Sequence, residues 1–230
     1  MNETLYKAAT LVLPMVFAIV FHEVAHGWVA RALGDPTAAE QKRLSLNPLR
    51  HVDLFGTIIL PGFLAILSAP VLGWAKPVPV DERRLRNPRY GMMVVAAAGP
   101  VSNLIMAGLA AAALALVIPA AGDLTPLDPA MRFLVDNLIN FVLINVFLAV
   151  FNLLPVPPLD GSKIVEGLLP WRARMLWRAF GRHGMLILML LIIVLPSFIP
   201  GFNPLGAVVR PPAEWLIGWY FDFASTLAGR

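Results

Sequence analysis

The chain has 230 residues, 58% of them hydrophobic and only 14% charged, and its mean hydropathy is +0.74. Soluble domains sit nearer half apolar and a quarter charged, so composition points away from an ordinary globular enzyme and towards an integral membrane protein. Cysteine is absent, which removes disulfide frameworks and thiolate metal sites; the net charge of +4 is dispersed between apolar segments, the pattern of loop charges and not of a nucleic-acid surface.

Residues 4–32 read as a first helix, long enough to cross a bilayer, with Pro14 as a candidate kink. Only Lys7 is basic ahead of its apolar run and no small-residue cleavage site follows, so it reads as retained and not as a signal peptide. Residues 56–74, "GTIILPGFLAILSAPVLGW", are apolar but broken by Pro61 and Pro70. Residues 91–119 form a long helix rich in Ala and Gly, which permits close helix packing. Residues 133–154 and 184–200 are two more spans, and the tail from Pro211 to Leu227 is either a weak last span or an interfacial helix. No hydrophilic run is long enough to bury a separate core, so residues 1–230 read as one all-α, polytopic membrane-embedded domain of about five to six membrane segments. Its core covers about 4–165 and its C-terminal helices about 184–227, with no repeat and no assignable oligomeric state.

Loop charges set the expected topology. Residues 31–55, 75–90 and 156–183 carry four, five and five Lys/Arg, whereas 119–136 carries one, Arg132, against Asp123, Asp128 and Asp136. The positive-inside rule puts the three basic loops in the cytoplasm and the fourth outside. Both 31–55 and 75–90 can face one side only if 56–74 dips in and returns as a re-entrant segment, irregular backbone that protein or water must cover. Helices 4–32 and 133–154 then run in the same direction.

The stretch "FHEVAHGWVA", residues 21–30, places three ionisable groups inside the first span, where each costs roughly 2.5–3.5 kcal/mol on insertion scales. His22 and His26, four apart, share a helix face and can reach one ion, and Glu23 directly after the first histidine is the arrangement of a zincin general base. A pair of histidines hydrogen-bonded in a bundle is the plainer reading, but it gives the buried glutamate no return. A catalytic zinc wants a third protein ligand, for which His51, His183 and the carboxylates are available. Asp160 stands out in "FNLLPVPPLDGSKI", residues 151–164, after Pro155, Pro157 and Pro158 stop a helix and before Gly161 allows a sharp turn. Taken alone, Asp160 reads better as a turn or helix N-cap aspartate.

The HEVAH helix, "AAGPVSN" at 97–103 and "FNLLPVPPLDG" at 151–161 together resemble the site-2 protease family of intramembrane zinc metalloproteases. "NPLRHVDLFGT" at 47–57 and "GWAKPVPV" at 73–80 resemble its compact bacterial and archaeal subgroup, and the resemblance runs from about residue 15 to 165. It implies one zinc per chain held by His22, His26 and Asp160, Glu23 as catalytic base, and Asn152 as an aid to substrate or oxyanion. It also implies transmembrane protein substrates cut within the bilayer of a prokaryotic plasma membrane, from a site towards the cytoplasm. Many relatives carry a further helix before the motif, or PDZ or CBS domains, none of which the chain shows.

Weaker expectations attach to Lys76, Pro77, Val78 and Pro79, an extended stretch suited to a β-like edge at 73–80 on which an unwound substrate could lie. A proline-stiffened connector explains the same residues. Asn103 is either an interhelical hydrogen bond or a substrate contact. The rival reading of the whole chain is a non-catalytic ion-binding transporter or membrane scaffold, against which stands the absence of a repeated half and of any need for Glu23.

Overall fold

The structure is a computed structural model and describes residues 2–59, 63, 75–120, 128–199 and 203–229. Among these residues every regular element is a helix. The order is α1 (Glu3–Ala32), α2 (Thr37–Glu40), α3 (Pro88–Ala120), α4 (Pro129–Asn152), α5 (Asp160–Leu168), α6 (Trp171–Gly181), α7 (Gly184–Met189), α8 (Leu195–Phe198) and α9 (Pro204–Leu227).

Local sequence explains where the long helices start and stop. Asn2 opens α1 by accepting from Thr4 N, and Asp128 opens α4 by accepting from Ala130 N and Met131 N, with Pro129 in the first helical position. Gly34, at φ +111°, turns the chain out of α1, a conformation glycine adopts at little cost. Pro14 lies inside α1 without ending it. A proline there removes the bond to the carbonyl of Thr10, and Asn140 of α4 supplies a replacement, its Nδ2 donating to Thr10 O at 2.8 Å.

Helix α3 is the centre of the bundle and packs against α1, α4, α5 and α9. Its small residues Ala107, Ala110, Ala111 and Ala115 let α4 (Val142, Val146, Val150) and α9 (Val209, Ala213, Tyr220, Ala224) come close, while Leu11, Phe17, Ile105, Leu109 and Leu116 point outward. Tyr6 pairs with Asp136 and Thr10 with Asn140, a constant offset that makes α1 and α4 parallel, as the loop charges require. His26 meets Val95 while Ala18 meets Asn103, so α3 runs antiparallel to α1. Arg86 N donates to Leu33 O at 3.0 Å, so residues 34–85 leave and rejoin the bundle at the same end.

Helices α1, α3 and α4 are each long and apolar enough to cross a membrane, and α6 with residues 184–192, bent by 64°, would make a fourth span. The expected re-entrant segment 56–74 falls mostly outside the described residues; its start belongs to a π-helical turn at Leu54–Ile59. The last helix begins at Pro204, earlier than expected, and carries Pro211 and Pro212 in its interior.

The expected β-like edge at 73–80 is corrected for its described part, since 75–80 carries no strand pairing. Pro77 and Pro79 have no N–H to give a ladder, and the stretch is held by single bonds instead. Lys76 N donates to His51 O at 2.8 Å, and Asp81 N to Asp35 at 2.7 Å. Burial pushes the Asp35 carboxyl up, but bonds from Thr37 and Asp81 and the nearby Arg84 outweigh it and hold the group below the usual carboxylate range.

Candidate metal centre

One helical turn separates His22 and His26, and both imidazoles are buried against α3. Their rings meet edge to face with centroids 4.7 Å apart and their Nε2 atoms 3.1 Å apart. Gly99 makes this possible: a Cβ there would lie 2.5 Å from His22 Cε1 and 2.6 Å from His26 Cε1, so the rings rest on the backbone of α3. Asp160 opens α5 and brings its Oδ2 to 3.1 Å from His22 Nε2 and 3.4 Å from His26 Nε2. Gly161 allows that approach, because a Cβ on it would sit 2.2 Å from Leu153 O at the end of α4.

The protons decide what this cluster can do. His26 Nδ1 faces Val95 O at 2.7 Å, and a carbonyl only accepts, so Nδ1 carries the proton. His22 Nδ1 faces Asn103 Oδ1 at 2.6 Å. The orientation of Asn103 follows from its neighbours: its Nδ2 donates to Ala18 O at 3.3 Å and to Asn145 Oδ1 at 2.7 Å, while Asn145 Nδ2 donates to Phe141 O. Backbone carbonyls thus fix a relay in which His22 also holds its proton on Nδ1. In the neutral rings both Nε2 atoms present lone pairs, and they point at each other and at a carboxylate. Asp160 Oδ2 is accordingly buried without a hydrogen bond.

Three lone pairs converging in a mostly buried site make a donor set that suits a cation. A tetrahedral zinc with bonds of about 2.0–2.1 Å has an edge of roughly 3.3 Å between ligand atoms, and the observed separations bracket it. The donor set, two imidazoles and one carboxylate, is one that zinc accepts. Among the described residues no other group of three His, Asp or Glu side chains converges in this way.

Glu23 lies beside His22 on α1, and its Oε2 accepts a hydrogen bond from Val78 N at 2.8 Å. Of the remaining residues singled out in the sequence, Asn152 ends α4 and its Nδ2 donates to Leu148 O one turn back. Asn103 is fully buried, with its amide bonded to His22, Asn145 and Ala18 O. Lys76 and Pro77 are exposed and Val78 is buried. His51 bonds Ser45 O, His183 precedes α7, and Glu166 pairs with Arg178. Sequence reasoning missed Gly99 and Asn145. Asn145 left a signal, an amide in the middle of an apolar span, where such groups act as interhelical glue.

Residues 124–196 match the model of "Peptidase family M50", a stretch that includes Asn152 and Asp160. A relative from Bacillus subtilis (strain 168), "Putative zinc metalloprotease YwhC", is 36% identical over 204 residues, 88% of this chain and 84% of its own. "Putative zinc metalloprotease Rip2" from Mycolicibacterium smegmatis is 26% identical over 212 residues, 91% of this chain and 71% of its own. No solved structure matches. With a helical membrane-type bundle around a His-His-Asp cluster, the chain belongs to peptidase family M50, the site-2 protease family. It is a zinc metalloprotease.

Proposed function

We propose that the protein is an intramembrane endopeptidase that cuts membrane proteins within or beside their transmembrane segments, with one zinc per chain held by His22, His26 and Asp160. The observation that carries this reading is the convergence of Nε2, Nε2 and Oδ2 lone pairs with every other proton of the relay committed elsewhere. His22 lies ten residues before the end of α1, about 15 Å along the axis. The basic loops at that end favour the cytoplasmic face of a cell membrane. The scissile bond is therefore met below the membrane surface, and a substrate helix must unwind there to expose it.

Zinc at this position supplies a Lewis acid that polarises the scissile carbonyl and makes a water acidic near neutral pH. Glu23 takes the proton from the attacking water and hands it to the leaving amine, so that water adds across the peptide bond and a carboxylate and an amine result. Asn103 and Asn145 keep the His22 proton on Nδ1. Asn152, in the last turn of α4, donates one amide proton to Leu148 O and keeps a second N–H and its Oδ1 for substrate.

The test is Glu23→Gln in the full chain. Zinc content, measured by elemental analysis of the purified protein, stays at one per chain while cleavage of a membrane peptide falls by about 10²–10⁴-fold. Turnover like that of the wild type would end this reading.

A further inference from the structure

Residues 75–80, A-K-P-V-P-V, cross α1 directly over Glu23 and Gly27, which are four apart and share one helix face. Three independent contacts fix the height and register of the crossing. The Val78 side chain seats over Gly27, where an added Cβ would lie 2.8 Å from Val78 Cγ1 and 2.4 Å from Leu44 Cδ2. Arg43 reaches across from the loop after α2, its Nη2 donating to Lys76 O at 2.8 Å and to Pro77 O at 3.4 Å. Lys76 N is tied to His51 O.

Because Pro77 and Pro79 have no N–H, Val78 is the single backbone donor from 77 to 79, and that one donor is the one bonded to Glu23 Oε2 at 2.8 Å. The two prolines also stiffen the chain around it and disfavour helical turns at Lys76 and Val78. We propose that residues 75–80 are a positioning strap, in which the lone Val78 amide fixes the rotamer of Glu23 so that its second oxygen faces the reacting water. The strap itself is held at that height by Gly27 and Arg43. A glutamate side chain has three soft torsions, and a charge-assisted bond to a fixed amide removes that freedom before substrate arrives. At Pro77 and Pro79 the strap has no amide, so it cannot form a two-way ladder with a substrate strand there.

This inference rests on Glu23 as the base, and the experiment separates the two. Val78→Pro removes the N–H while leaving a proline-compatible extended stretch, and Val78→Ala keeps the N–H while trimming the side chain. Both are measured in the full chain with zinc content and thermal stability. The probe is an internally quenched Leu/Ala-rich transmembrane peptide with a helix-breaking Gly-Pro pair, in liposomes. The expected result for Val78→Pro is a fall in kcat of about ten- to a hundredfold with KM and zinc content unchanged, clearly larger than the fall in Val78→Ala, which loses packing on Gly27 but keeps the N–H. Equal kcat in the two zinc-loaded variants, a change in KM alone, or a gain in activity overturns the proposal, and a gain would make the strap a restraint on the base.

A second measurement needs no turnover and stands if Val78→Pro fails to fold. Amide hydrogen exchange of residues 76–80 should speed up by one amide in Glu23→Ala and not in Glu23→Gln, which still offers an oxygen. Unchanged exchange in Glu23→Ala overturns the strap. If Glu23→Gln instead keeps wild-type turnover, the base assignment has failed whatever the exchange data show.

Discussion

The two ends of the parallel α1–α4 pair hold similar kinds of residue and put them to different use. At the outer end Tyr6 donates to Asp136 at 2.6 Å, Arg132 approaches the same carboxylate at 3.8 Å and lies 5.8 Å over the Tyr6 ring, and Lys7 pairs with Glu3 at 2.7 Å. These groups line an open cavity of about 480 Å³. Each acceptor there has a donor of its own, and water reaches most of them. At the inner end Asp160 faces two imidazoles whose protons are already given to Val95 O and Asn103. The difference is not the number of charges but where the protons point: the outer end matches its acceptors with donors, and the inner end leaves Asp160 Oδ2 without one.

That contrast can be broken by substitution, and the largest effect is expected at Asp160. Asp160→Ala leaves two imidazoles with no carboxylate, and purified protein should lose its zinc to a mild chelator together with all measurable cleavage. Full, chelator-resistant zinc in this variant would move the third ligand elsewhere. A smaller effect tests the relay. Asn145→Leu removes the acceptor that orients Asn103, and zinc affinity measured by chelator competition should weaken by about 10–100-fold. Asn145→Gln, which keeps an amide, should recover part of it. Unaltered affinity in Asn145→Leu would show that the His22 tautomer does not depend on α4. The smallest effect belongs to the outer end: Asp136→Asn should keep zinc content and turnover within about a factor of two, since partly exposed ion pairs contribute little. Loss of zinc there would mean that the two ends are coupled and the comparison is wrong.

Much of this was legible in the residues. The long apolar runs gave α1, α3 and α4, and the loop charges gave the parallel sense of α1 and α4, because both follow from the free energy of lipid and water acting on local sequence. The HEVAH spacing and Asp160 after the proline run marked the residues that the fold then gathers. What stayed hidden depends on partners far along the chain. Gly99 is one of 17 glycines, and only the ring of His22 lying on it reveals why it has no side chain. The amide of Asn152 carries no sign in sequence that it turns back on Leu148. The proline pair at 77 and 79 was readable as an obstacle to a ladder, but that the amide between them meets Glu23 required the tertiary crossing. The start of α9 was misplaced because Pro204 and Pro211 are both acceptable first helical residues, and packing of Val209 on α3 and α4 favours the earlier one.

Helix α3 contributes none of the three converging side chains, yet it touches everything that places them. Its backbone receives the imidazoles at Gly99 and Val95, its Asn103 holds the His22 proton, and its Arg89 caps the far end of α5 at Gly167 O and Leu169 O. During synthesis α1 and α3 emerge well before α5. With α3 docked on α1 and Asn145 of α4 in place, both histidines are seated and their protons directed to Val95 O and Asn103 without any contribution from α5. The carboxylate on α5 is then the last of the three converging groups to be made, and it meets a frame that the earlier helices already define.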